Sequence, residues 1–384
     1  MADFNAAAPF QYRMLMPLLA SGVGKVVPWL DADVIFAALE VAAWMALVFV
    51  ALRGVEMFCP EVSPRLRWPL ALTVLVPVAM HLIVPDFRFP STFQNEAGTL
   101  GLGEWRAVRL FRYVYDLPAA VFTLATALML VRFERRRDLS RFAAYLGVFA
   151  LATLNRETAV FMIAAFFGVC RHSLSPKTLL MALAAQIAVF VAIYGGIVWL
   201  APAMENPHAS VGASEYENHL MHNLALFASP LYLLTYFARF SAGLYLPVLL
   251  LRQHLSPVLG RIVFWYGLPL LASAILFGRL VEQRVVVEVV PLIWLAAIQA
   301  ITAWVARQHT PGSSPLPARN LARASDSGAH ERKVQTAMDR SGSAAFVIML
   351  MFLAFMAGAM VMQARAEPSV IIPDPYRALE ALKL

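Results

Sequence analysis

Residues 142–170 read FAAYLGVFALATLNRETAVFMIAAFFGVC, two apolar arms of about 13 residues on either side of Asn155-Arg156-Glu157. Arg141 flanks the stretch on one side; Arg171, His172 and Lys177 flank it on the other. Arginine and lysine accumulate in the cytoplasmic loops of membrane proteins, so both flanks belong on one side. A chain that leaves one side and returns to it is a helical hairpin, here with its polar tip toward the outer face. Polar backbone at that depth needs protein or a wet cavity around it. The alternative is one long broken helix, which inverts the orientation of everything after it.

Working outward from the hairpin, a bilayer core of about 30 Å takes roughly 20 apolar residues per helix. Runs of that kind stand at 34–52, 69–85, 113–131, 178–200, 223–251, 261–278, 285–305 and 344–363. The expected fold class is therefore all-α: a polytopic transmembrane helical bundle of about eight full spans plus the hairpin at 142–170. The loops 53–67, 132–141 and 252–261 are arginine-bearing and read as cytoplasmic, whereas 86–112, 201–222 and 279–284 read as outer. The chain then divides into an outer-face amphipathic N-terminal segment (1–33), a transmembrane core (34–306), a flexible cytoplasmic linker rich in Ser, Pro, Ala and Arg (307–341) and a last transmembrane helix with an outer tail (342–384).

Composition agrees. Of the 384 residues 60% are hydrophobic and 14% charged, against about 25% charged in soluble domains. That excludes a soluble enzyme with a single anchor. The formal charge of +7 belongs to the inner loops and gives no ground for a nucleic-acid partner. Cys59 and Cys170 have no metal or redox spacing, so no disulfide framework is expected. The first twenty residues contain Asp3, Arg13 and two prolines without a continuous apolar core, so no cleavable signal peptide is expected.

Charges within lipid are costly and each asks for a reason. In this topology Glu40, His81, Asp116, Arg156, Glu157, Glu282, Arg284 and Glu288 fall into one outer-leaflet layer, with Arg239 nearer the middle. Singly, each can be an ion pair between helices or an interfacial group reaching water; Arg284 with Glu288 has the i,i+4 spacing of a helical pair. Together they form a candidate site. The stretch GEWRAVRLFRYVYD (103–116) adds Arg106, Arg109, Arg112 and Asp116 on one helical face. Arginines at an interface clamp phosphate oxygens bidentately, so a lipid phosphate or pyrophosphate is a candidate ligand; contact with headgroups without specificity is the alternative. His219 and His222 have an i,i+3 spacing that a metal could use, but a wet polar loop explains them better, and no metal or cofactor is expected. No phosphate-binding glycine loop, dinucleotide fingerprint or nucleophile elbow occurs, so a donor substrate would be lipid-borne.

Three stretches carry a resemblance: PFQYRMLMPLL (9–19), the apolar–NRETA–apolar hairpin (142–170) and LVEQRVVVEVVPLIW (280–294). With the many spans and basic inner loops, they resemble bacterial membrane proteins of the GT-C glycosyltransferase superfamily. The resemblance implies a polyprenyl-phosphate-linked sugar as donor, a glycan, lipid or protein as acceptor, and a place in the bacterial inner (plasma) membrane. It puts Arg156 at the basic tip of a short helical pair. Members usually begin with a span and an outer loop bearing a catalytic acid. No span-length apolar run precedes residue 10 here, so that acid is not carried over.

On this reading an inverting transfer needs a carboxylate base near the acceptor hydroxyl, with Asp116, Glu157 and Asp86 as candidates. Arg109, Arg112 and Arg156 would neutralise the leaving lipid phosphate, and Arg284 and Glu288 would hold the site. A second reading uses the same layer without catalysis, in a lipid or glycan carrier or an assembly subunit that binds a phospholipid-type headgroup. In a third the charges are structural and bind no ligand.

Overall fold

A computed structural model of the chain describes residues 13–83, 115–200, 223, 240–277, 283–308, 343 and 346–347. Among these the regular structure is helical throughout. In chain order the helices are α1 (Leu15–Val26), α2 (Ala32–Phe58), α3 (Pro64–Leu72), α4 (Leu75–Ile83), α5 (Asp116–Arg135), α6 (Leu139–Asn155), α7 (Phe161–Cys170), α8 (Pro176–Leu200), α9 (Tyr245–Leu250), α10 (Pro257–Phe277) and α11 (Val290–Gln308). Short 3₁₀ turns cover Glu157–Val160 and Gln283–Val289.

Five of the described helices (α2, α5, α8, α10 and α11, the last with its preceding turn) are long and apolar enough to cross a bilayer. Their packing inverts the rule for water-soluble proteins. The most apolar window of α8 has a mean hydropathy of 2.1, yet 17% of it is buried. Along α2, Val34, Val41, Met45 and Phe49 are exposed on neighbouring turns, and on α8 so are Leu180, Ile187, Val191 and Trp199. Apolar surface this continuous is unfavourable against water and neutral against lipid tails. The centre belongs to α5 and α11, which are apolar and enclosed nearly all round. Close approach matters there: a Cβ on Gly54 of α2 would stand 3.0 Å from a methyl of Leu295 on α11.

The five helices match the expected spans at 34–52, 113–131, 178–200, 261–278 and 285–305, with different ends. The count of eight is not carried by the described residues. Most of 223–251 lies outside them, as does 344–363 apart from Phe346 and Val347, and of the linker 307–341 only Arg307 and Gln308 lie within them. The expected span at 69–85 is instead two nine-residue helices, α3 and α4, which part at Thr73 and Val74. The physical reason is local. Pro77 has no N–H to give to the Thr73 carbonyl, and the Thr73 hydroxyl donates to the Leu70 carbonyl at 2.7 Å. The Trp294 indole N–H then donates to that same hydroxyl oxygen at 2.9 Å and anchors the break to α11.

Helix α6 ends where Arg156 turns extended, at φ −159° and ψ 139°. A single 3₁₀ turn follows, and α7 runs back beside α5 and α6. Phe166 of α7 stacks at 5.7 Å on Phe133 of α5 and lies 6.0 Å from Phe142 and 5.5 Å from Tyr145, both in the first two turns of α6. One long broken helix would hold Phe142 and Phe166 more than about 30 Å apart, at a rise of about 1.5 Å per residue. The chain therefore turns back at residues 155–160. On the outer surface of α7, Gly168 lets the Trp265 ring of α10 press against the backbone; a Cβ there would overlap the indole.

The helices thus define two ends. At one lie the tip of the hairpin and the starts of α2, α5 and α11. At the other lie Arg53, Arg132, Arg135, Arg141, Arg171 and Arg307.

Candidate functional site

The hairpin tip is built from a helix end that cannot continue. Arg156 leaves the α region, and its own N–H still closes the last turn on the Ala152 carbonyl at 2.8 Å. Asn155 donates from its side-chain amide to the Tyr115 carbonyl at 2.9 Å, which fastens the tip to the start of α5. The Arg156 guanidinium is thereby aimed inward.

Arg156 is 4% exposed. Its Nη1 lies 3.2 Å from Asp116 Oδ1, at the first residue of α5, and 2.9 Å from Glu288 Oε1, in the turn before α11. Asp116 is 0% and Glu288 1% exposed. Glu288 is held on every side: the Thr158 hydroxyl sits 2.7 Å from both carboxylate oxygens, and the Tyr266 hydroxyl of α10 donates to Oε2 at 2.7 Å. That tyrosine oxygen lies 3.1 Å from the Thr123 hydroxyl of α5. Charges at this depth persist only when paired and hydrogen-bonded, and these are both.

A second pair stands beside the first. Arg13, just before α1, donates to Glu157 from Nη2 at 3.0 Å and from Nε at 3.4 Å, a bidentate grip. The guanidinium also lies 4.3 Å from the centre of the Tyr115 ring. The Met14 N–H donates to the Leu154 carbonyl at 3.1 Å, so the backbone before α1 is tied to the end of α6. Arg13 is buried, but the Glu157 side chain keeps 31% of its surface accessible. Two cations and three carboxylates from four chain segments thus form one layer.

The sequence-derived candidates fall into three groups. Asp116, Arg156, Glu157 and Glu288 come together. Asp86, Arg109 and Arg112 lie outside the described residues, as do Arg106, Arg239, Glu282 and the histidines at 208–222. Arg284 lies on the 3₁₀ turn Gln283–Val289 rather than on an α-helix. Glu288, on the same turn, meets Arg156.

Of the remaining layer residues, His81 uses both ring nitrogens. Nδ1 lies 2.8 Å from the Pro77 carbonyl and Nε2 accepts from the Ser241 N–H at 3.3 Å, so its role is to join α4 to the turn at 240–243. Glu40 is buried on α2, outside these hydrogen bonds.

Arg13, Thr123, Thr158 and Tyr266 were not among the candidates. Arg13 had a signal, since it stands inside PFQYRMLMPLL beside two other stretches singled out with it. The three hydroxyl residues had none; neutral side chains on apolar helices look like packing until a charge is placed against them.

Chemically, Arg156 meets two buried carboxylates through Nη1, whereas the Glu157 side chain keeps the most accessible surface of the three acids in this network. No protein-family model, no curated protein and no solved structure matches the chain.

Proposed function

We propose that this chain is an integral membrane glycosyltransferase-like protein that takes a polyprenyl-phosphate-linked sugar at the outer face of the bacterial inner membrane and passes the sugar to a glycan or lipid acceptor. One observation supports the reading above others: Arg13, Arg156 with Glu157, and Glu288 come from the three separate stretches that carry the resemblance, and they meet in one layer.

The roles divide by exposure. Glu157 is the base: it takes the proton of the acceptor hydroxyl as that oxygen bonds to the anomeric carbon and the bond from that carbon to the phosphate oxygen breaks. The polyprenyl phosphate leaves with the bonding electrons. Arg13 orients Glu157, and Arg109 and Arg112 are the cations assigned to the leaving phosphate. Asp116, Arg156 and Glu288 are positioning residues, because the Arg156 charge is already met by two carboxylates.

The test uses full-length protein in nanodiscs with polyprenyl phosphate and with the polyprenol of equal length. Native mass spectrometry is expected to show retention of the phosphate over the alcohol by more than about tenfold, the discrimination of a charge-assisted contact worth about 1.5–3 kcal/mol. Glu157→Gln is expected to keep that preference and to lose sugar transfer. Equal retention of the two lipids would sink the proposal.

One observation favours a second reading, a carrier or assembly subunit that binds a phospholipid-type headgroup without chemistry. The Arg156 charge is met by Asp116 and Glu288 without a ligand. On that reading Glu157→Gln leaves every measurable function of the membrane unchanged while the lipid preference persists.

A further inference from the structure

The opposite end of the bundle holds a second arrangement that the transferase reading does not use. Between the last turns of α2 and α5 and the first turns of α6 lies a cleft of about 680 Å³. Its walls include Arg132, Arg135, Arg136 and Arg141, with Met57 and Met129 on the apolar side. We propose that this cleft binds the phosphate of an anionic phospholipid, with guanidiniums on the headgroup and the methionine side toward the acyl chains.

Charge bias between the two faces of a membrane brings arginines to this end without arranging them. The arrangement comes from the fold. Arg135 donates to the Met57 carbonyl at 3.2 Å and so ties the end of α5 to the end of α2. Arg141 donates to the Arg132 carbonyl at 3.2 Å and so ties the start of α6 to the end of α5. The walls of the cleft are cross-linked by two of its own arginines, and Arg141 also pairs with Asp138 at 3.0 Å.

Arg132 and Arg136 are different. Both are exposed, and among the described residues neither meets a carboxylate within 4.0 Å; the Nη1 contact of Arg132 is to the Met129 sulfur at 3.8 Å. The nearby acids have other partners: Glu56 pairs with Arg53 and Glu134 with Arg137. Four guanidiniums therefore face one cleft against the single carboxylate of Asp138. Planar N–H forks suit phosphate oxygens, and basic clefts between membrane helices at the surface are where anionic headgroups bind. Leu139, at the start of α6, is 81% exposed.

The experiment takes the full chain in nanodiscs of phosphatidylcholine and phosphatidylglycerol, followed by mild delipidation and native mass spectrometry. Wild type is expected to retain phosphatidylglycerol preferentially. Arg132→Gln with Arg136→Gln is expected to lower that preference by about tenfold or more, with an unchanged melting temperature in detergent. Arg53→Gln, at the same end but outside the cleft, is the control. An unchanged preference in the double variant, or an equal loss in the control, overturns the proposal. Inorganic phosphate is the second arm. If it binds the lipid-free protein and is lost in the double variant, while phosphatidylglycerol shows no preference, the site belongs to a soluble phosphate and the lipid source is overturned. Retention of phosphatidylglycerol without such binding supports the lipid source.

Discussion

The hairpin tip and the basic end use the same residue type under opposite conditions. At the tip, Arg156 is enclosed and meets carboxylates brought from α5 and from the turn before α11; without them it would be a buried charge with no counter-ion. At the basic end, Arg132, Arg135 and Arg136 are exposed, and the ion pairs nearby are local ones three residues apart, Arg137 with Glu134 and Arg141 with Asp138. An arginine of the first kind fixes long-range structure and costs much to remove; one of the second kind is a surface charge, open to a ligand.

Removing the buried cation tests this most severely. Arg156→Ala strands two enclosed carboxylates and is expected to cost about 3–5 kcal/mol. Both cysteines of the chain are buried, so a thermal melt read by a thiol-reactive fluorophore follows unfolding. Combining Arg156→Met with Asp116→Asn and Glu288→Gln is expected to lose less than Arg156→Met alone; an equal or larger loss would show that the charges do not act as a unit.

Packing rather than charge is expected to hold α7 to α10 nearer the basic end. Gly168→Ala forces its Cβ into the Trp265 ring and should cost about 1–3 kcal/mol; a melt within error of wild type would break that contrast. Tyr266→Phe removes one hydroxyl from Glu288 and leaves Thr158 in place, and a thermal melt is expected to show a loss of about 1.5–3 kcal/mol.

Smaller effects belong to the exposed end. The Asp138 carboxyl is held below its ordinary value by the Arg141 backbone N–H and then by the Ser140 hydroxyl. Its contribution to stability is thus present above about pH 4 and fades as the pH falls below that. Asp138→Ala should abolish this part of the acid dependence of the melt; an identical profile would refute it. Arg136→Ala, last in size, should change stability by less than about 0.5 kcal/mol, and a shift as large as that of Arg156→Ala would erase the comparison.

The periodicity and length of the apolar runs determined, from sequence alone, an all-helical chain with several membrane-length helices, because a bilayer sets both the length and the polarity of what crosses it. The flanking arginines of 142–170 likewise determined that this segment turns back. The same reasoning joined α3 and α4 into one span, since Thr73 and Pro77 are tolerated within many apolar helices and break this one through hydrogen bonds to Leu70 and Trp294. Depth could be read from sequence, and with it the layer that contains Asp116, Arg156, Glu157 and Glu288. Which charge meets which could not. Helix rotation and the extended conformation of Arg156 select Glu288 over its sequence neighbours, and they bring Arg13 across 144 residues to Glu157. Those choices depend on how four segments pack against one another, and only the tertiary structure decides that.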